Sequence, residues 1–278
     1  MFQPAIPLSG YGGWKFLQTT YTRQIQTFTD SSEIRNDRDY LAAKLSQPIT
    51  QEDFLDDQRL LRITMTAHDL EGEEWKRGFI DKVLSEVGDP ESQFLARLNN
   101  PEYSSFADTF APTNGLISLS AEDLSDLTEK FEAVAFRSAV GEVDNNMRLS
   151  LNYQSKITEL IGDGSSDEAI LFRLLGSVPV KTVLESALNL PVDIRKLPIE
   201  RQADILQERL QDRFGITDLQ DLTSPEMIDK VIQRFHAIEA INQGSSNTSP
   251  GLIALAILNN SIGFGSGASQ NLFLSNFL

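Results

Sequence analysis

The sequence contains no cysteine and only two histidines, His68 and His236, among its 278 residues. Without cysteine the chain can form no disulfide, no thiolate nucleophile and no thiolate metal site. Two histidines cannot build a histidine-rich metal cluster, so any zinc site would need carboxylates to complete its ligand shell. The absence of cysteine therefore does not indicate in which cellular compartment the protein resides. Our starting expectation is a cytoplasmic location.

Positive charge is also scarce, because 24 Lys and Arg stand against 40 Asp and Glu, which gives a net charge of -16 at pH 7. A chain of this charge repels phosphate backbones and anionic lipid surfaces. No apolar run reaches the ~18 to 20 residues of a membrane-spanning helix, and the start lacks the pattern of a secretion signal. We therefore expect no binding to nucleic acid and no insertion into a membrane.

Strand signals are rare, whereas signals for helix starts are frequent. No alternating apolar pattern surrounds an Asn-Gly or Asp-Gly turn. A hydroxyl three residues before an acid satisfies unpaired amides at the start of a helix. Such pairs are Thr50 with Asp53, Ser120 with Asp123, Ser165 with Glu168 and Thr223 with Glu226, and Asp89-Pro90 marks a further start. We predict an all-α fold, a multihelical bundle of roughly ten helices.

Several segments of the second half resemble segments of the first. LARLNNPE at 95–102 shares its spacing of Leu, Pro and Glu with LQDLTSPE at 219–226, and LRITMTAHDL at 61–70 resembles KTVLESALNL at 181–190. The similarities keep their order along the chain, which indicates two similar halves from an internal duplication. The predicted organisation is an uncharged arm at 1–14, helical halves at 15–112 and 113–242, and an uncharged, partly apolar tail at 243–278.

Glycines in the arm raise the question of a phosphate-binding loop. Gly10, Gly12 and Gly13 fit neither phosphate-loop spacing, no strand precedes them, and Lys15 is not followed by Ser or Thr. They predict instead a tight turn that lays an aromatic pair on an apolar surface before a helix that begins near Lys15. That pair is Tyr11 and Trp14.

The tail contains LIALAIL at 252–258, which makes it more apolar than a typical solvated tail. Because neither terminus carries charge, we expect both to be covered by protein. The candidate interaction residues are Tyr11, Trp14, Leu252, Ile253, Leu255, Ile257 and Leu258.

The sequence contains no strong pattern for a catalytic or metal-binding site. His68 and His236 are predicted to be ordinary structural or surface histidines, since nothing in the sequence joins either one to a serine nucleophile and an acid. The segment 162–172 lacks the glycine and the final glutamate of a calcium loop. We expect no catalytic, cofactor-binding or metal-ligating residues, and we expect that the protein is not an enzyme.

Several segments together resemble a known family. They are PLSGYGGWKFLQTTY at 7–21, DFLDDQRLL at 53–61, FIDKVL at 79–84, NNPEYSSFA at 99–107, NNMRLSLN at 145–152 and ESALNLP at 185–191. The family is an uncharacterised alphaproteobacterial one, commonly encoded among flagellar genes and carried as a domain of unknown function. This sequence departs from it in TMTAHDL, where small residues including Gly are expected before the final Leu, and at Asn189, where Gly is usual.

The resemblance implies an all-helical fold and a flagellum-associated role, with no established catalytic residues. We therefore expect a structural or accessory protein of the cytoplasm or the flagellum. It would bind flagellar proteins or a second copy of itself, and export through the flagellar apparatus is a narrower version of this hypothesis. The alternative is a small-molecule-binding protein or a hydrolase with a carboxylate-lined cleft between the halves.

Overall fold

Helices make up nearly all the regular structure of the protein, which we describe from a computed structural model over residues 2–87, 92–98, 100–162 and 164–244. The predicted all-α, multihelical fold is confirmed. The α-helices are α1 (Gly10–Thr29), α2 (Ser32–Leu45), α3 (Gln51–Asp56), α4 (Gln58–Ala67), α5 (Arg77–Glu86), α6 (Phe94–Leu98), α7 (Pro101–Phe110), α8 (Ala121–Val143), α9 (Asn145–Ile161), α10 (Asp167–Gly176), α11 (Val178–Ala187), α12 (Ile199–Phe214) and α13 (Pro225–Gly244). Two 3-10 helices, Val192–Lys196 and Leu219–Thr223, flank α12, and β1 (Ile49–Thr50) pairs antiparallel with β2 (Leu116–Ile117). No described helix is both long and apolar enough to cross a membrane.

Two of the predicted helix starts lie where the sequence placed them. The Thr50 side chain accepts a hydrogen bond from the backbone N–H of Asp53 at the start of α3. At the start of α8, Ser120 and Asp123 satisfy each other's backbone N–H groups in a reciprocal capping box. Both starts depend on residues three positions apart, which is why local sequence was enough to find them.

Two other starts lie one residue later than predicted. Ser166, and not Ser165, caps α10. Ser224 occupies the corresponding position before α13, because Thr223 closes the 3-10 helix that precedes it. Each of these two helix starts has two neighbouring hydroxyl residues, and the second residue adopts the extended backbone conformation that a cap requires. The start predicted at Asp89-Pro90 lies outside the described residues.

One hydrophobic cluster runs through both predicted halves. Helix α8 packs on α4 and on α9, α9 packs on α11, and α13 packs on α11 and on α1. The fully buried aromatic side chains of this core are Trp14, Phe54, Phe106, Phe110, Phe131, Phe136, Tyr153 and Phe235. The pairing of α4 with α8 joins the two halves through shared apolar surface.

Helices α4 and α11 end in the same way. Asp69 and Asn189 each follow a helix with a positive φ, of 58° and 52°. The next residues, Leu70 and Leu190, donate their backbone N–H groups to the carbonyl five residues earlier, at 2.9 and 2.8 Å. This Schellman-type ending favours Gly, and Asp and Asn are among the residues that tolerate it best. The shared ending agrees with an internal duplication, which stays a prediction.

The N-terminal arm lies against the helices of its own chain. Phe2 packs edge-on against Phe28, with 5.5 Å between the ring centroids. The side-chain amide of Gln24 accepts a hydrogen bond from the N–H of Ala5 at 2.8 Å and donates one to its carbonyl at 3.1 Å. Gln24 thereby satisfies both backbone groups of Ala5, as a neighbouring β-strand would. The neutral composition of the arm is explained by this packing within the chain.

Helix α1 begins at Gly10, five residues before the predicted start near Lys15. Gly10 has a φ of 68° and supplies the predicted turn. Gly13 lies inside the helix, where a Cβ atom would stand 1.8 Å from the carbonyl oxygen of Leu8. The third glycine therefore lets the arm cross the helix at close range.

We expect Gly13→Ala to lower the free energy of unfolding by about 2 kcal/mol or more, because the added methyl would displace the arm. Gly12→Ala is the matched control, since nothing lies within 4 Å of its added Cβ. In the helix this control should stabilise the protein by about 0.5 to 1 kcal/mol. Urea unfolding of both variants measures the difference, and equal effects would show that the crossing does not depend on Gly13.

Candidate functional site

A cleft of about 930 Å³ opens between α7 in the first predicted half and α8, α9 and α10 in the second. Four carboxylates lie in its lining, and the alternative hypothesis of a ligand-binding or hydrolytic cleft stays a prediction. Its charged lining residues are Asp108, Asp123, Asp126, Lys130, Glu159 and Arg173.

Two of these charged groups already serve helix ends. The Ser120 hydroxyl donates to the carboxylate of Asp123 at 2.6 Å, and hydrogen bonds from Ser120 lower the pKa of Asp123. Arg173 donates to the carbonyl of Ile161 at 2.7 Å, at the end of α9. Within the described residues, no group of three or more His, Asp or Glu could hold a metal ion.

His68 lines the cleft at the end of α4 and is 5% exposed. Its Nδ1 lies 3.2 Å from the hydroxyl of Ser105. Burial lowers the pKa of His68 to about 4, and the nearby Lys130 contributes, so the ring is neutral at pH 7. The other ring nitrogen of His68, Nε2, has no hydrogen-bond partner. In a catalytic triad that second nitrogen is held by a carboxylate, which orients the histidine as the base for the serine.

His236 forms a similar pair with Ser150, deeper in the protein. Its Nε2 is 3.0 Å from the Ser150 hydroxyl, which itself donates to the carbonyl of Asn146 at 2.8 Å. The hydroxyl therefore accepts from His236, which places the proton on Nε2. Burial lowers the pKa of His236 to about 4. Ser150 is fully buried, so no substrate reaches this pair. Both contacts join helices distant in sequence, which is why spacing gave no sign of them.

A buried charge network lies beside the cleft. Arg137 donates to both carboxylate oxygens of Asp69, at 3.0 and 3.1 Å. The ammonium of Lys156 lies 3.0 Å from Asp69 and 3.0 Å from Glu102. Burial by itself lowers the pKa of Lys156, but the two carboxylates outweigh it and the pKa is raised. The network connects the end of α4 with α7, α8 and α9. In the sequence, the only sign of this network was Asp69, which stands where members of the resembling family have a small residue.

Of the predicted interaction residues, the two in the arm make contacts inside the chain. Trp14 is 1% exposed and packs against His236. The hydroxyl of Tyr11 donates to Asp229 at 2.7 Å, and Lys15 binds the other oxygen of Asp229 at 2.7 Å. Both residues tie α1 to α13, so we do not propose Trp14 as a partner contact. Leu252, Ile253, Leu255, Ile257 and Leu258 lie outside the described residues.

Trp75 was not selected from the sequence, and the structure leaves it 78% exposed in the turn between α4 and α5. The turn is held by internal hydrogen bonds. The N–H of Lys76 donates to the carbonyl of Glu73 at 2.9 Å, and the N–H of Gly72 donates to the Glu74 carboxylate at 3.2 Å. A hydrogen bond from Tyr103 anchors Glu73 to α7 and lowers its pKa. The indole is therefore presented from a fixed support.

These features describe an all-helical protein with a buried charge network, a polar cleft and an exposed tryptophan. The chain belongs to the family described as "Protein of unknown function (DUF1217)", whose model matches residues 67–228. No curated protein matches the chain. Its fold is similar to that of an Agrobacterium tumefaciens protein solved by X-ray crystallography, with a TM-score of 0.67 and 19% identity over 86% of this chain and 99% of the other.

Proposed function

We propose that this protein acts by binding other proteins, as a flagellum-associated structural or accessory protein. The flagellar part rests on the resemblance of its segments to a family encoded among flagellar genes. The binding part rests on Trp75, which is 78% exposed on a hydrogen-bonded turn. A location in the cytoplasm or the flagellum, and export through the flagellar apparatus, belong to the same proposal.

Trp75 has the properties of a binding anchor. Tryptophan is enriched among the residues that dominate binding energy at protein interfaces. A side chain on a rigid support loses less conformational entropy on binding than one on a mobile loop. The Lys76 ammonium lies 5.6 Å from the ring centroid and keeps one side of the indole polar. An apolar pocket in the partner would cover the remaining surface.

The charge of the chain indicates the partner's character. A net charge of -16 attracts proteins with a basic surface and accelerates their encounter. We therefore propose a partner with an apolar pocket and a basic rim. The absence of nucleic-acid binding rests on the same charge and stays a prediction.

We expect Trp75→Ala to weaken binding of flagellar proteins by about tenfold or more, because truncation of an anchor removes most of its buried surface. Co-purification from flagellated cells, with the tagged full chain as bait, measures this loss, and swimming motility gives a second readout. The urea midpoint should stay unchanged, since Trp75 packs little against its own chain.

Val192→Ala is the matched control, because Val192 is also 78% exposed but belongs to a different element, the 3-10 helix Val192–Lys196. It should keep the flagellar partners. If Trp75→Ala retains the same partners and normal motility, Trp75 is not the anchor. If the wild-type chain co-purifies with no flagellar protein, the flagellar assignment is wrong.

The cleft supports a second candidate function, namely binding or hydrolysis of a small molecule. Nε2 of His68 and Nε of Arg173 are buried without a hydrogen-bond partner, and both residues line the cleft. The candidate ranks second because Asp123 and Arg173 already stabilise helix ends.

A further inference from the structure

A second exposed apolar surface lies far along the chain from Trp75. Of nine large hydrophobic side chains exposed in the described residues, four belong to it: Val178, Val192, Leu197 and Ile199. Within residues 191–200, only Ile194 is buried. We call residues 191–200 together with Val178 the strap surface.

The backbone of the strap surface is constrained. Pro191 and Pro198 fix φ on either side of the 3-10 helix Val192–Lys196. The buried Ile194 attaches this short helix to the core. Exposed aliphatic side chains on a constrained backbone bind at a lower entropic cost than the same side chains on a mobile loop.

Side-chain hydrogen bonds fix the strap surface to α11 and α12. Arg195 donates to the Glu185 carboxylate at 2.9 and 2.6 Å. Gln202 on α12 donates to the carbonyl of Leu197 at 2.8 Å.

Val178 joins the same surface through α11. The ammonium of Lys181 donates to Gln202 at 2.8 Å, and this hydrogen bond links α11 to the start of α12. Val178 lies one turn before Lys181 and is 72% exposed.

The charge of the strap surface differs from that of the whole chain. Residues 191–200 hold two acids, Asp193 and Glu200, and two bases, Arg195 and Lys196, so their formal charges cancel, whereas the chain carries -16. Lys196 pairs with Asp193 at 2.6 Å, and Arg195 pairs with Glu185. The strap surface therefore adds no net charge of its own to the repulsion between two acidic copies of the chain. A basic partner, by contrast, is attracted to the acidic remainder.

We propose that the strap surface is a contact between two copies of this chain, related by a two-fold axis that brings the same side chains together. The cancelled charge of the strap surface favours a second copy over a basic partner, and the exposed aliphatic residues supply the apolar area. A standard interface uses about 20 to 30 residues on each side, so this smaller surface gives a weak, concentration-dependent dimer.

Sedimentation equilibrium of the full chain tests the proposal at rising protein concentration and at two salt concentrations, about 0.05 M and about 0.5 M. We expect dimers to form and to become more stable at higher salt, because screening weakens the repulsion between two acidic copies. The double variant Val178→Ser with Val192→Ser should raise the dimer dissociation constant by about tenfold or more. Both side chains are largely exposed, so the variant should fold as the wild type does.

Trp75→Ala is the control that separates this inference from the proposed function, because it should keep the dimer while it loses the flagellar partner. A chain that stays monomeric under all these conditions overturns the proposal. A dimer that survives the double substitution, or that weakens at higher salt, overturns it as well. If the wild-type chain is monomeric and the double variant loses a flagellar partner, the strap surface binds that partner and not a second copy.

Discussion

The free energy of unfolding should fall by about 5 kcal/mol between about pH 7.5 and about pH 4.5, because His68 and His236 are buried in neutral form. Burial lowers the pKa of each histidine from 6.5 to about 4, with a contribution from Lys130 at His68, while Asp144 opposes the shift at His236. The effect is a large part of the 5 to 15 kcal/mol that stabilises a typical domain.

The sign of this effect follows from proton binding. Below about pH 6.5 both histidines of the unfolded chain take up protons, while those of the folded chain stay neutral until the pH approaches about 4. Their contribution is therefore fully present above pH 6.5 and is lost as the pH falls towards 4. At about pH 4.5 each histidine accounts for about 2 to 3 kcal/mol of the loss.

Urea unfolding between about pH 7.5 and about pH 4.5 measures this dependence in the wild type and in His68→Gln, His236→Gln and the double variant. Each single variant should lose about half of the pH dependence, and the double variant should lose most of it. Comparing slopes rather than absolute stabilities removes the cost of changing the contacts with Ser105 and Ser150. An unchanged slope in the double variant would place the responsible protons on other groups.

The environments of the two histidines could not be predicted from sequence, although the helix starts could. Capping pairs such as Thr50 with Asp53 are three residues apart, so local geometry decides them. The serines that contact the histidines are 37 and 86 residues away, and only the packing of α4 on α7 and of α9 on α13 brings them together. The sequence left open whether these histidines are structural or on the surface, and the structure shows that both are buried.

The arm shows a different limit of sequence reasoning. Its lack of charge predicts a segment that is covered by protein, because an uncharged apolar segment is poorly solvated. Composition does not identify the surface that covers it, and here that surface includes Phe28 and Gln24 of the same chain.

For Trp75, the sequence did not indicate that the side chain is exposed. It stands in a charged run, EEWKR, where nothing local distinguishes a side chain folded inward from one left in solvent.

Asp69 shows how much a departure from a family pattern can reveal. The residue after α4 needs a positive φ, which Gly adopts without strain, yet the chain places a carboxylate there. That carboxylate receives hydrogen bonds from Arg137 and lies 3.0 Å from the ammonium of Lys156. The departure was visible in the sequence, but both cations come from the second predicted half, and only the fold identifies them.

Removal of the Arg137 guanidinium should lower the free energy of unfolding by about 3 to 5 kcal/mol, because it leaves part of a buried ion network without its partner. Arg137 is 8% exposed and also donates to Ser155 at 2.5 Å. Urea unfolding of Arg137→Met measures the loss. Arg148→Met is the matched control, since the Arg148 guanidinium donates to Asn145 at 3.0 and 2.8 Å within its own helix, and its loss should cost about 1 kcal/mol or less.

Combining Arg137→Met with Asp69→Asn separates the ion pair from the other contacts of the Arg137 guanidinium. Asn tolerates the positive φ at position 69, so the second substitution removes the charge without straining the backbone. If the pair is coupled, the double variant should be more stable than the sum of the single losses predicts, by roughly 1 to 3 kcal/mol. Additive losses would mean that the Arg137 guanidinium stabilises the protein mainly through partners other than Asp69, such as the Ser155 hydroxyl, and that Asp69 is satisfied by Lys156 alone.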